Sequence, residues 1–156
     1  MPHESIAVEP LASPDAQALI EALNADILER YPNPEDNFFE LSEDEVAEGN
    51  GVFVVARFDG VPVGCGALRK LDDRTAEVKR MYVARAARGY GLGRRILEAL
   101  ETEARRLSVE RLVLETGERQ NEATALYERA GFRRIPRFGP YADSEHSICF
   151  EKLLSN

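Results

Sequence analysis

Cysteine and histidine are scarce: the chain of 156 residues holds two of each. Cys65 and Cys149 stand far apart with no CxxC pair, which excludes a zinc ribbon and a thioredoxin-type redox motif. Both lie in apolar runs (GCGAL and SICF), so both are expected as buried, reduced thiols. His3 and His146 are too few for a His-rich metal site, and no metal is expected. Long apolar runs are also missing; none approaches the roughly 18 residues that a membrane span needs. The opening MPHESIAVEP has no basic stretch followed by an apolar one, so no signal peptide is expected, and a cytoplasmic protein is. Positive charge is short as well: 20 Lys and Arg stand against 28 Asp and Glu, a net charge of −8. That balance excludes sequence-general nucleic-acid binding and argues against an anionic membrane surface as partner.

What is present is an ordinary globular mixture, 44% hydrophobic and 31% charged, with no repeat and no linker. The length suits one domain over residues 1–156, with a core that needs no staples. Residues 5–11 read as a first strand. Ser13-Pro14-Asp15 starts a helix over 14–30, with Ala18, Leu19, Ala22, Leu23, Ile27 and Leu28 at helical spacing. Ser42 and Glu45 form a capping-box pattern that predicts a second short helix ending at Gly49-Asn50-Gly51. Strands follow over 52–58, 61–71 and 75–83, the first two joined by the hairpin signal Asp59-Gly60. A helix carrying Ile96, Leu97, Leu100, Ala104 and Leu107, a strand over 110–116 and a helix over 121–130 come next. Residues 132–138 and 147–153 read as a last pair of strands. Hairpins joined to crossover helices predict an α/β (α+β) fold: one mixed sheet with helices on both faces.

The strongest chemical signal is the run Arg88-Gly89-Tyr90-Gly91-Leu92-Gly93, between a strand and a helix. Glycine permits a sharp turn and close approach of a ligand. The first N–H groups of the helix have no internal partner and sit at the positive end of its dipole, which makes an anion cradle. Arg88 and Arg94 add positive charge. The glycine spacing fits neither the dinucleotide fingerprint nor the P-loop.

The run does match R/Q-x-x-G-x-G/A, and it resembles the acetyl-coenzyme A pyrophosphate loop of the GNAT superfamily of N-acetyltransferases. A second motif of that superfamily, AxxLYxxxGF, stands downstream from Ala123 through Tyr127 to Phe132. The order of elements matches too, so the resemblance covers nearly the whole chain. It implies a mostly antiparallel sheet of about seven strands, splayed between the fourth and fifth, with about four helices. It also implies acetyl-CoA as co-substrate, with Met81, Tyr82, Val83, Arg88, Gly89, Tyr90, Gly91, Leu92, Gly93, Arg94, Gln120, Asn121, Ala123 and Tyr127 around it. Gln120 stands where the family often carries Asn.

Acetyl transfer to an amine requires removal of a proton from the ammonium, polarisation of the thioester, a proton for the leaving thiolate and close placement of both reactants. By resemblance Tyr127 is the general acid, Glu77 on the fourth strand is the first choice as base, and Glu115 on the fifth strand is the alternative. The acceptor pocket is implied near the first two helices and the last loop, where Tyr31, Phe38, Phe39 and Tyr141 could wall it. A small-molecule amine or amino-acid-like acceptor is the leading expectation. Acetylation of a protein N-terminus or lysine, and a non-catalytic acetyl-CoA sensor, stay open beside it. A monomer or a homodimer is expected, the latter through an exposed C-terminal edge strand (ICFEKLL).

Overall fold

A computed structural model describes residues 2–33 and 40–154. Its strands are β1 (Glu4–Val8), β2 (Gly51–Phe58), β3 (Val61–Lys70), β4 (Thr75–Val83), β5 (Arg111–Gly117), β6 (Arg133–Ile135) and β7 (Ser147–Leu153). Its helices are α1 (Pro14–Arg30), α2 (Leu92–Arg106) and α3 (Asn121–Arg129). They form one seven-stranded sheet in the order β1-β2-β3-β4-β5-β7-β6. Every pairing is antiparallel except β4 with β5.

Period-two alternation divides the core between the two faces. Val54, Leu68, Val78, Leu112, Leu114 and Phe150 face α2 and α3, where Ile96, Leu97, Leu100 and Ala104 cover them. The intervening Phe53, Val55, Cys65 and Ala67 face α1, with Leu11, Ala16 and Leu19. Ser13 caps α1 by accepting from the Ala16 N–H at 3.1 Å.

Several boundaries differ from the sequence expectations. The first strand stops at Val8, ahead of Pro10, which has no N–H to continue a ladder. The capping box at Ser42 forms in both directions: Glu45 Oε1 accepts from the Ser42 N–H at 2.9 Å, and Ser42 Oγ accepts from the Glu45 N–H at 3.3 Å. It starts only a 3₁₀ turn, Asp44–Val46, none of whose residues is buried. A nucleus with no packing face does not propagate, so the described residues hold three α-helices rather than four. The strand expected over 132–138 ends at Ile135, before Pro136, and Gly139–Tyr141 forms another 3₁₀ turn. The C-terminal strand is not an edge. β7 inserts between β5 and β6, so the short β6 and the five-residue β1 close the sheet, and the dimer expectation loses its edge.

The β4–β5 pairing positions everything that follows. It runs only from Thr75↔Arg111 to Val78↔Leu114. Beyond it, β4 continues to Val83 and β5 to Gly117 without pairing, so the strands diverge. A β-bulge increases the divergence. Cys65 pairs with Tyr82 and Ala67 with Lys79, so Arg80 and Met81 together oppose Gly66, and Arg80 takes φ 57°.

Candidate active site

The cradle closes on the α2/α3 side of this opening. Gly89 and Gly91 take φ of 88° and 77°, the left-handed region that glycine enters without strain. Gly91 is the N-cap of α2 and carries no side-chain cap. The first helical bond runs from the Arg95 N–H to the Gly91 carbonyl at 3.2 Å, so the amides of Leu92, Gly93 and Arg94 precede the helical ladder. Arg88 Nε donates to the Val83 carbonyl at 2.8 Å, which holds its guanidinium beside the turn. These groups line a cleft of about 560 Å³. Gly89, Gly91, Gly93, Arg88 and Arg94 lie on one wall, and Met81, Tyr82, Val83, Gln120, Ala123 and Tyr127 on the others. Unbonded amides, a helix N-terminus and two arginines in one cleft fit a diphosphate.

A second cavity of about 100 Å³ opens on the α1 face. Leu23 and Ile27 of α1 roof it, and Glu77, Lys79, Arg80, Glu115 and Tyr141 line it. The two spaces share Leu23, Met81, Gln120, Ala123 and Tyr127. Tyr127 reaches this junction from α3 because the strands have parted there. Its ring packs against Phe132 at 5.8 Å and Phe150 at 6.3 Å between centroids. Burial pushes its phenol above the ordinary value, and the nearby Glu115 charge pushes it further.

The two carboxylates have different surroundings. Glu77 is 1% exposed. Its Oε1 accepts from Arg69 Nε at 2.9 Å, and its Oε2 accepts from the Tyr141 hydroxyl at 2.5 Å. Arg69 also bonds Glu45 in the 44–46 turn, so one part-buried network ties β3, β4 and the 44–46 and 139–141 turns together. Glu115 is half-buried, and its Oε2 accepts from Ser147 Oγ at 2.6 Å. Burial raises its carboxyl above the ordinary range. Lys79 donates to the Glu40 carbonyl at 2.8 Å, and burial lowers its ammonium. Arg80, 7% exposed, donates to Asn24 Oδ1.

Not every residue expected at the site lies there. Tyr90 is exposed and turns to Phe58, 5.7 Å between centroids, and it does not line the cleft. Asn121 is exposed and does not line it either. Gln120 does, while its Oε1 accepts from the Gly117 N–H at 2.9 Å and closes the turn after β5. Tyr31 lines neither space; its buried hydroxyl accepts from the Arg119 N–H at 2.7 Å and pins the β5–α3 loop to the end of α1. Phe38 and Phe39 lie outside the described residues. Lys79 and Arg80, which follow Glu77 on β4, also line the cavity, but the ion pair of Glu77 is with Arg69; Lys79 shares its strand face with Glu77 by simple alternation. Among the described residues no group of three or more His, Cys, Asp or Glu converges on a metal position.

The sequence model of the Acetyltransferase (GNAT) family matches residues 16–132. The chain belongs to the GNAT family. A relative from Azospirillum brasilense named "IAA acetyltransferase" is 39% identical over 155 residues, 99% of this chain and 100% of the relative. An N-acetyltransferase of Bacillus subtilis (strain 168), YsnE, is 32% identical over 86% of this chain and 80% of its own length. Among solved structures, a provisionally named acyl-CoA N-acyltransferase of Klebsiella pneumoniae superposes with a TM-score of 0.82 at 32% identity, over 97% of this chain and 98% of its own. This GNAT protein is therefore an acetyl-CoA-dependent N-acetyltransferase, and the cleft below the glycine turn fits its co-substrate. No described helix is long and apolar enough to cross a membrane.

Proposed function

We propose that the enzyme acetylates the primary amine of a small, amino-acid-like acceptor by direct transfer, with both reactants bound. One observation carries this reading: the co-substrate cleft and the small α1-face cavity meet at Tyr127. A cavity of about 100 Å³ admits a small head group. It carries both signs of charge, Glu115 against Lys79 and Arg80, which suits an ammonium next to an anionic group.

Acetyl-CoA supplies an activated acyl group on sulfur. The α2 amides and Arg88 hold its diphosphate end. The unpaired edge of β4 beyond Val78 offers backbone groups to the arm that lies in the opening. A cavity carboxylate takes one proton from the acceptor ammonium. Tyr127 gives its proton to the departing sulfur and regains one from the acceptor nitrogen. One C–N bond replaces one C–S bond, and one proton reaches solvent for each amide formed. Holding the two reactants at one junction supplies much of the acceleration.

The test is free-thiol release from acetyl-CoA against a panel of amines, amino acids, short peptides and IAA, the last because the A. brasilense relative is named for it. Release on amino acids or small amines is the expected result. Release on peptides alone moves the reading to protein acetylation, and release on none refutes it.

A further inference from the structure

We propose that Glu115 takes the proton from the acceptor ammonium, and that Glu77 is a positioning residue that holds Tyr141 in the cavity wall. The inference rests on the acetyl-transfer reading and deepens it. Both carboxylates occupy the α1 face, because Glu77 pairs with Val113, two residues before Glu115. Their partners separate their roles. Oε1 of Glu77 accepts from Arg69 Nε at 2.9 Å and lies 2.8 Å from Arg69 Nη2 in the same ion pair, and Oε2 accepts from the Tyr141 hydroxyl at 2.5 Å. A proton placed on Glu77 would discharge its ion pair with Arg69 and weaken the Tyr141 bond. Glu115 has one hydrogen bond, from Ser147 at 2.6 Å to Oε2, and no basic side chain forms an ion pair with it among the described residues. Glu115 lines the cavity, and no described donor bonds its Oε1.

The surroundings of Glu115 raise its proton affinity, which suits a base. Burial raises its carboxyl, and the Glu77 charge adds to that, while the Ser147 bond and Lys79 oppose. The titratable groups within its field are Glu77 and Lys79 of β4, Tyr127 of α3, Tyr31 after α1, Tyr141 of the 139–141 turn and Cys149 of β7. Acid and base thus flank the junction from opposite faces of the sheet: Tyr127 from the α3 side and Glu115 from the α1 side. Ammonium transfer to Glu115 leaves a neutral amine with its lone pair free, and Glu115 returns that proton to solvent after turnover.

Two isosteric variants, Glu115→Gln and Glu77→Gln, are compared by pH profile of kcat/KM, acetyl-CoA affinity and thermal melting. Glu115→Gln is expected to lower kcat/KM at pH 7 by about 100-fold or more. The acid limb of the profile disappears, and the remaining rate climbs with the acceptor's own deprotonation. Acetyl-CoA affinity and melting stay at the parent values, since Gln keeps the Ser147 bond. Glu77→Gln is expected to keep the acid limb, with its midpoint moved somewhat lower because the Glu77 charge no longer raises Glu115, while KM rises. An acid limb retained in Glu115→Gln, or lost in Glu77→Gln, overturns the assignment. A parent enzyme that releases no thiol on any acceptor refutes the acetyl-transfer reading instead. In that case carbon-13 titration of the glutamate carboxyls, with Glu115→Gln as the assignment control, decides the base. A Glu115 midpoint above the ordinary carboxylate range supports it, and an ordinary midpoint overturns it.

Discussion

Tyr127→Phe removes one oxygen from the junction and leaves the ring. The ring's contacts with Phe132 and Phe150, at 5.8 and 6.3 Å, do not involve that oxygen. The stability change is therefore expected to be about 1 kcal/mol or less. The catalytic effect follows from the leaving group. General acids contribute about 10²–10⁴-fold, but a thiol with a pKa of about 8.5 departs more easily than an alkoxide. The loss in kcat is placed at the low end, about 10- to 100-fold, or roughly 1.4–2.7 kcal/mol in barrier height. Because burial and Glu115 both hold the phenol above its usual value, the parent tyrosine stays protonated from pH 6 to about 9, and the loss is expected to be constant over that range. Thiol release reads kcat, and calorimetry reads acetyl-CoA affinity. Turnover within twofold of the parent, or an affinity loss equal to the turnover loss, would refute the acid role.

Three further outcomes follow from the geometry. Gly91→Val puts a β-branched residue at φ 77° in the cradle, and acetyl-CoA affinity by calorimetry is expected to fall about 100-fold or more; unchanged affinity sinks the cradle. Gly117→Ala places a Cβ 2.0 Å from the Tyr31 hydroxyl. Overpacking of that kind costs about 1–3 kcal/mol, a drop of about 3–10 °C in melting midpoint, and Tyr31→Phe in the same chain should relieve part of it. Glu151 accepts from Arg111 and Arg133, both at 2.7 Å, and these hold its carboxyl below the ordinary range. A lowered folded pKa stabilises above the unfolded value of about 4.3 and is lost as pH falls through the folded one. Glu151→Gln should therefore flatten the decline in melting midpoint below about pH 5; an unchanged decline would deny the ion pairs that role.

The parts of the site built from local chain were legible in the sequence. The Arg88–Gly93 run is a strand end, a turn and a helix start in succession, so its residue types state its geometry directly. The helical spacing of Ile96, Leu97, Leu100 and Ala104 names the buried face of α2. Long-range pairing was legible only as far as the family resemblance carried it, to a sheet splayed between the fourth and fifth strands. Nothing near Ser147 announces that β7 inserts between β5 and β6. The choice between Glu77 and Glu115 turns on Arg69, Tyr141 and Ser147, which the sheet delivers from 8, 64 and 32 positions away. The capping box at Ser42 marks a helix start, but the length of the helix depends on packing that the local sequence does not encode.

The initial-velocity pattern with acetyl-CoA and the best acceptor varied together is the most direct test of a shared junction. Lines that intersect, with the acceptor recovered bearing one acetyl group, are the predicted result: both reactants meet on the enzyme at Tyr127. Parallel lines with an acetylated enzyme isolated in the absence of acceptor would contradict direct transfer and the account built on it.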